Sequence, residues 1–171
     1  WSYACELAII NDSVCLASNN QVALMRSTDR GHTWDTVYST TSGFSFRSMS
    51  FVTDSIGFAC GSIGPPNIGM LKTTDAGFTW DTVMSSTAWN NTVLEDMVFI
   101  SDQKGFQVGW YNGHFVNTND GGANWVSPNT DSNVSTQLVD LDIHANRPSS
   151  YYACGWYGEI IKSNDGGANW E

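Results

Sequence analysis

The chain has 171 residues, 41% of them hydrophobic and eight of them Trp, enough for a packed core, and no run approaches the roughly 18 apolar residues that a membrane-crossing helix requires. Seven Lys and Arg against 17 Asp and Glu leave a formal net charge of −10. That balance argues against nucleic acid or an anionic membrane as a partner held by bulk charge, and favours a cationic, neutral or sugar-like one.

From the N-terminus, period-two alternation broken by turn residues predicts short strands and almost no helix. The first set reads CELAII (5–10), VCLAS (14–18), VALMRS (22–27) and WDTVYS (34–39). The second reads RSMSFV (47–52), GFACG (57–61), GMLKT (69–73) and WDTVMS (80–85). The third reads EDMVFI (95–100), GFQVG (105–109), HFVNT (114–118) and WVSP (125–128). The fourth reads VDLDIH (139–144), YYACG (151–155) and EIIKS (159–163), with its last strand cut short at Glu171. Repeats of approximately 1–39, 40–85, 86–128 and 129–171 follow, within one segment covering 1–171.

In the first strand of each set the alternation places Leu7/Ile9, Met49/Phe51, Met97/Phe99 and Leu141/Ile143 on one face, where they are expected to fill the space between sheets. The connections 40–46, 85–94 and 127–137 are polar and unlike one another, and Phe44, Phe46 and Trp89 are expected to decorate them. Pro65 and Pro66 cannot donate ladder hydrogen bonds, so the insertion 61–69 reads as a stiff loop.

Four near-copies of one octapeptide punctuate these sets: STDRGHTW (27–34), TTDAGFTW (73–80), TNDGGANW (118–125) and SNDGGANW (163–170), at spacings of 46, 45 and 45 residues. A period in the mid-forties suits one four-stranded propeller blade. Within each copy, Asp29, Asp75, Asp120 or Asp165 is placed to accept hydrogen bonds from its own turn, and the hydroxyl of Ser27, Thr73, Thr118 or Ser163 to add another. Gly31, Gly77, Gly122 and Gly167 fall where the turn needs a positive φ or a close approach, and Trp34, Trp80, Trp125 and Trp170 are large rings able to pin it by burial. Arg26, Lys72 and Lys162 each precede an octapeptide and belong to the repeat.

The octapeptide resembles the Asp-box, or BNR repeat, of sialidases, sortilin-type receptors, some xyloglucanases and photosystem II assembly-factor-like propellers, and through its spacing the resemblance covers essentially the whole chain. It implies an all-β protein, a β-propeller of four-stranded antiparallel blades with four Asp-box repeats. Seven blades of about 45 residues would need a little over 300 residues, so the chain reads as a segment of a larger propeller, or as one of two chains completing a ring. In that family the box is a structural turn away from the ligand face, which implies no metal or catalytic role for its aspartates.

Glu6, Ser48, Asp96 and Asp140 are equivalent in the repeat, followed two residues on by Ala8, Ser50, Val98 and Asp142. These positions are expected to line a central channel, either as carboxylates that bind a cation, a basic group or a substrate, or as the wall of a water-filled passage. Trp110-Tyr111 and Trp156-Tyr157, beside Gly113 and Gly158, offer indole faces to a sugar or peptide, or else pack between sheets. Cys60 and Cys154 read as buried free thiols; Cys5 and Cys15, on adjacent strands, are either bridged or free.

Sialidase chemistry, as the family performs it, needs three arginines on the substrate carboxylate. Only Arg26, Arg30, Arg47 and Arg147 are present, so no catalytic set transfers. His32, His114 and His144 have no metal-ligand spacing, and no cofactor or metal is implied. The expected function is a non-enzymatic binding or assembly propeller, secreted or at the cell surface, presenting variable loops and a channel mouth to a protein or glycan through Trp89, Trp110, Trp156, Glu6, Asp96 and Asp140. The alternative is a glycoside hydrolase, xyloglucanase- or sialidase-like, with part of its active site outside this chain. Partners do not include nucleic acid, and association with the rest of a larger propeller or a second chain is anticipated.

Overall fold

The computed structural model describes residues 6–19, 23–40, 45–62, 68–86, 93–110, 114–127, 129–130, 138–143 and 149–171. Cys5, Phe44, Pro65, Pro66, Trp89, Tyr111, Gly113, His144 and Arg147 lie outside that set. The chain forms two compact units, Trp1–Asn90 and Asn91–Glu171.

In the first unit, β1 (Leu7–Ile9), β2 (Cys15–Ser18), β3 (Ala23–Ser27) and β4 (Asp35–Ser39) form one four-stranded sheet in chain order. A second such sheet contains β5 (Ser45–Phe51), β6 (Gly57–Ser62), β7 (Ile68–Thr73) and β8 (Asp81–Ser86). All neighbours within these sheets are antiparallel. Short turns make this order the cheapest one, since each strand pairs with its sequence neighbour.

The second unit repeats the plan with shorter outer edges. One sheet has β9 (Val93–Phe99), β10 (Gly105–Trp110) and β11 (His114–Thr118), the other β13 (Leu138–Ile143), β14 (Tyr151–Gly155) and β15 (Ile160–Ser163). Pro128 lies outside the described residues, and among them the expected outer strand 125–128 shows a single bridge, Asn117 to Val126. Instead β12 (Asn129–Thr130) pairs parallel with β16 (Asn169–Trp170). Glu171 exchanges both backbone hydrogen bonds with Lys162 at 3.0 Å, opening the outer pairing of the last sheet.

Each unit has its core between its two sheets. In the first, Leu16 and Leu24 meet Phe46, Met49, Ala59, Leu71 and Trp80. In the second, Phe106, Val108 and Phe115 meet Leu141, Tyr151, Ile161 and Trp170. Phe46, expected on a loop, is buried: β5 begins at Ser45, alternation turns Phe46 inward, and its ring meets Tyr38 edge-on at 6.1 Å. Leu7 and Ile9 depart the other way, 58% and 75% exposed, because that face of the first sheet carries no covering layer among the described residues.

Cross-strand partners are matched in size. Phe51 lies opposite Gly57 and Phe99 opposite Gly105, whereas the smaller Ile143 lies opposite Tyr151 and Ile9 opposite Cys15. A Cβ on Gly105 would sit 2.8 Å from the Phe99 ring, and one on Gly57 would strike Phe51. The rings lie over the glycines, so the Gly-aromatic pattern records a close approach. Bulges interrupt β5, β9 and β13 at corresponding places, just before Ser48, Asp96 and Asp140. A bulge re-aims the following side chain, and this re-aiming is invisible to strict alternation.

Candidate functional site

The four octapeptides share one hydrogen-bond net. The hydroxyls of Ser27, Thr73, Thr118 and Ser163 donate to the aspartate two residues on at 2.7 to 2.8 Å. They accept the N–H of Gly31, Gly77, Gly122 and Gly167 at 2.8 to 3.0 Å. Each aspartate then takes both the N–H and the side chain of Thr33, Thr79, Asn124 or Asn169. Each Trp Nε1 donates back to the octapeptide glycine carbonyl at 2.9 to 3.3 Å. Trp80 and Trp170 are buried, whereas Trp34 and Trp125 are only half-buried.

The turn needs two successive left-handed residues: Arg30-Gly31, Ala76-Gly77, Gly121-Gly122 and Gly166-Gly167. Arg30 and Ala76 therefore hold φ of 64° and 61° at about 1–2 kcal/mol of strain each. What holds them is a bond that motif reading does not anticipate. The N–H groups of Arg30, Ala76, Gly121 and Gly166 donate to Ser13, Ser55, Gln103 and Ser149 carbonyls at 2.8 to 3.1 Å, tying each octapeptide to the first hairpin turn of its own repeat.

These bonds favour the ionised carboxylate. Asn124 and Asn169, through backbone N–H and then side-chain amide, hold Asp120 and Asp165 down to about 2. Asp29 is lowered chiefly by the Thr33 hydroxyl. At Asp75 burial pushes upward, and the hydrogen bonds of Thr79 and Thr73 outweigh it. With its lone pairs committed to the turn, each aspartate has little left for a ligand.

Two cations bridge from one sheet to the next octapeptide in the same unit. Arg26 Nε donates to the Ala76 carbonyl at 2.8 Å, with its guanidinium 3.7 Å from the centre of the Phe78 ring. Lys104 Nζ donates to the corresponding Gly166 carbonyl at 2.7 Å. Arg26 carries a repeat signature, but nothing in the turn around Lys104 marks it in sequence.

Of the expected acidic set, Glu6 belongs to the first unit and is tied to Ser18, its N–H donating to Oγ at 2.8 Å while its carbonyl accepts the Ser18 N–H. Ser48, at the equivalent position, is buried. Asp96 and Asp140 do come together: Asp96 Oδ2 and Asp140 Oδ1 accept the same Leu141 N–H, at 2.9 and 3.0 Å. Asp96 Oδ1 also takes the Met97 N–H at 2.7 Å. Cys154 sits near the pair, its thiol pushed up by burial and then by the charges of Asp140 and Asp96. A depression of about 110 Å³ opens there, lined by Asp140, Asp142, Tyr152, Cys154 and Ile160. A larger one, about 270 Å³, lies against Lys162, Asp165, Trp170 and Glu171, where Asp165 is bonded within its own turn and Glu171 is paired with Lys162 at 3.1 Å.

The aromatic pair does not keep its equivalence. Trp110 ends β10, its backbone opposite Val93, whereas β14 stops at Gly155 and Trp156 starts a 3-10 turn (Trp156–Gly158) with half its surface exposed. Trp89 falls outside the described residues. Cys60 is buried; Cys154, expected to be buried, is half-exposed because Tyr152 and Ile160 beside it are uncovered. Cys15 is free. His114 is buried and held neutral by that burial, at about 4. Among the described residues no three His, Cys, Asp or Glu side chains group as metal ligands, and no helix is long and apolar enough to cross a membrane.

Antiparallel four-stranded sheets in chain order, repeated with one hydrogen-bonded turn, define a β-propeller. No protein-family model matches the chain, and no curated protein matches it as a relative. Solved structures do. YCF48 bound to D1 peptide matches with TM-score 0.69 and 20% identity over 97% of this chain and 52% of that one. A GH74 xyloglucanase from Xanthomonas campestris matches with TM-score 0.74 and 15% identity, over 96% and 29%. The WD40 β-propeller domain of Doa1 matches with TM-score 0.57 and 13% identity, over 95% and 55%. The chain spans about half the length of the first and third and under a third of the second. At these identities the likeness establishes the fold alone.

Proposed function

We propose that the chain is a non-enzymatic binding or assembly propeller, presenting its divergent loops and exposed Trp156 to a protein partner. The carrying observation is the placement of Asp96 and Asp140. A glycosidase holds two carboxylates on either side of a substrate bond, with open space between them. Here the Leu141 N–H occupies that space and both carboxylates accept from it. The pair serves the backbone and not a substrate. The likeness to YCF48 bound to D1 peptide supports a peptide-like partner over a small molecule. The net charge of −10 makes a cationic or neutral peptide the better fit.

The test is peptide-array and pull-down binding with the triple variant Trp89→Ala, Trp110→Ala, Trp156→Ala. Binding is expected to fall with unchanged melting, and binding that survives all three substitutions counts against this surface.

The likeness to a GH74 xyloglucanase favours the glycoside hydrolase reading, with a glycan in place of the peptide. Turnover of a chromogenic xyloglucan oligosaccharide, abolished by Asp96→Asn or Asp140→Asn, would replace the first reading with this one.

A further inference from the structure

We draw no further inference here: the strongest candidate, the side-chain cluster of Asp96 and Asp140 where the two sheets of the second unit meet, carries nothing because both carboxylates accept the Leu141 N–H and nothing beside them among the described residues points to a ligand.

Discussion

Arg26 and Ala76, fifty residues apart, are joined by a 2.8 Å hydrogen bond from guanidinium Nε to carbonyl oxygen. The Ala76 carbonyl belongs to a non-glycine residue at φ 61°, so a buried cation from the first sheet steadies the most constrained point of the second sheet's turn. Burial lowers the Arg26 pKa, and the charge of Asp75 pulls it back up. Arg26→Met keeps an apolar stem over Phe78 and removes the donor. It is expected to cost about 1.5–3 kcal/mol in urea unfolding, the range for a hydrogen bond from a charged group. Arg26→Lys should recover only part of this, since an ammonium lacks the planar fork.

Asp75→Ala leaves the Thr79 N–H and hydroxyl without their partner and frees the Thr73 hydroxyl. The Thr79 end faces solvent, so water replaces much of what is lost and the expected cost is about 1 kcal/mol. The loss should show as faster hydrogen exchange at Gly77 and Thr79 before any change in the far sheet of the other unit. A bound metal lost on substitution, with melting unchanged, would make the octapeptide a ligand site.

Acid should loosen the turns together. Asp120 and Asp165 have folded-state values near 2, against about 3.9 for an unperturbed Asp in the unfolded chain. A depressed folded value means that the stabilisation is complete well above the unfolded pKa, begins to fail as pH falls through about 4, and is gone below about 2. Urea midpoints measured from pH 6 to pH 2 should fall in that window. In an Asp120→Asn, Asp165→Asn variant the fall should be shallower.

His114 adds a separate slope at higher pH. Burial holds its imidazole near 4, below the unfolded value of about 6.5, so its contribution is complete above about 6.5 and lost as pH falls toward 4. The C2 proton of His114 should titrate near pH 4 by NMR, and His114→Gln should flatten the stability profile between pH 6.5 and 4.

Two glycines at positive φ separate strain from contact. Gly167 (φ 85°) faces Phe106 and Tyr151, and a Cβ there would run into the Phe106 ring. Gly158 (φ 79°) has nothing within 4 Å. Gly158→Ala should cost about 1 kcal/mol from the backbone alone, whereas Gly167→Ala should cost about 2–4 kcal/mol by adding overpacking at the Trp170 cluster. Equal melting shifts for the two would place the glycine requirement in φ alone.

The strands and the octapeptide turn were legible in the residues because both are local. Alternation sets which side chains share a face, and a hydroxyl, a carboxylate and a glycine within five residues can satisfy one another without help from elsewhere. The strand YYACG over 151–155 and the left-handed glycines at 31, 77, 122 and 167 follow from such short-range chemistry. What the residues do not reveal depends on partners distant in sequence. Alternation treats Leu7/Ile9 and Leu141/Ile143 alike, yet among the described residues only the latter pair packs on a neighbouring sheet. Bulges just before Asp96 and Asp140, each one extra residue, turn two carboxylates onto a single Leu141 N–H, and no spacing rule contains that. Composition and repeat length determine that this chain makes propeller sheets. Which acids meet, which cations hold a neighbouring turn and which apolar faces stay open is decided by tertiary packing, because burial and hydrogen-bond satisfaction are properties of the assembled sheets and not of any one strand.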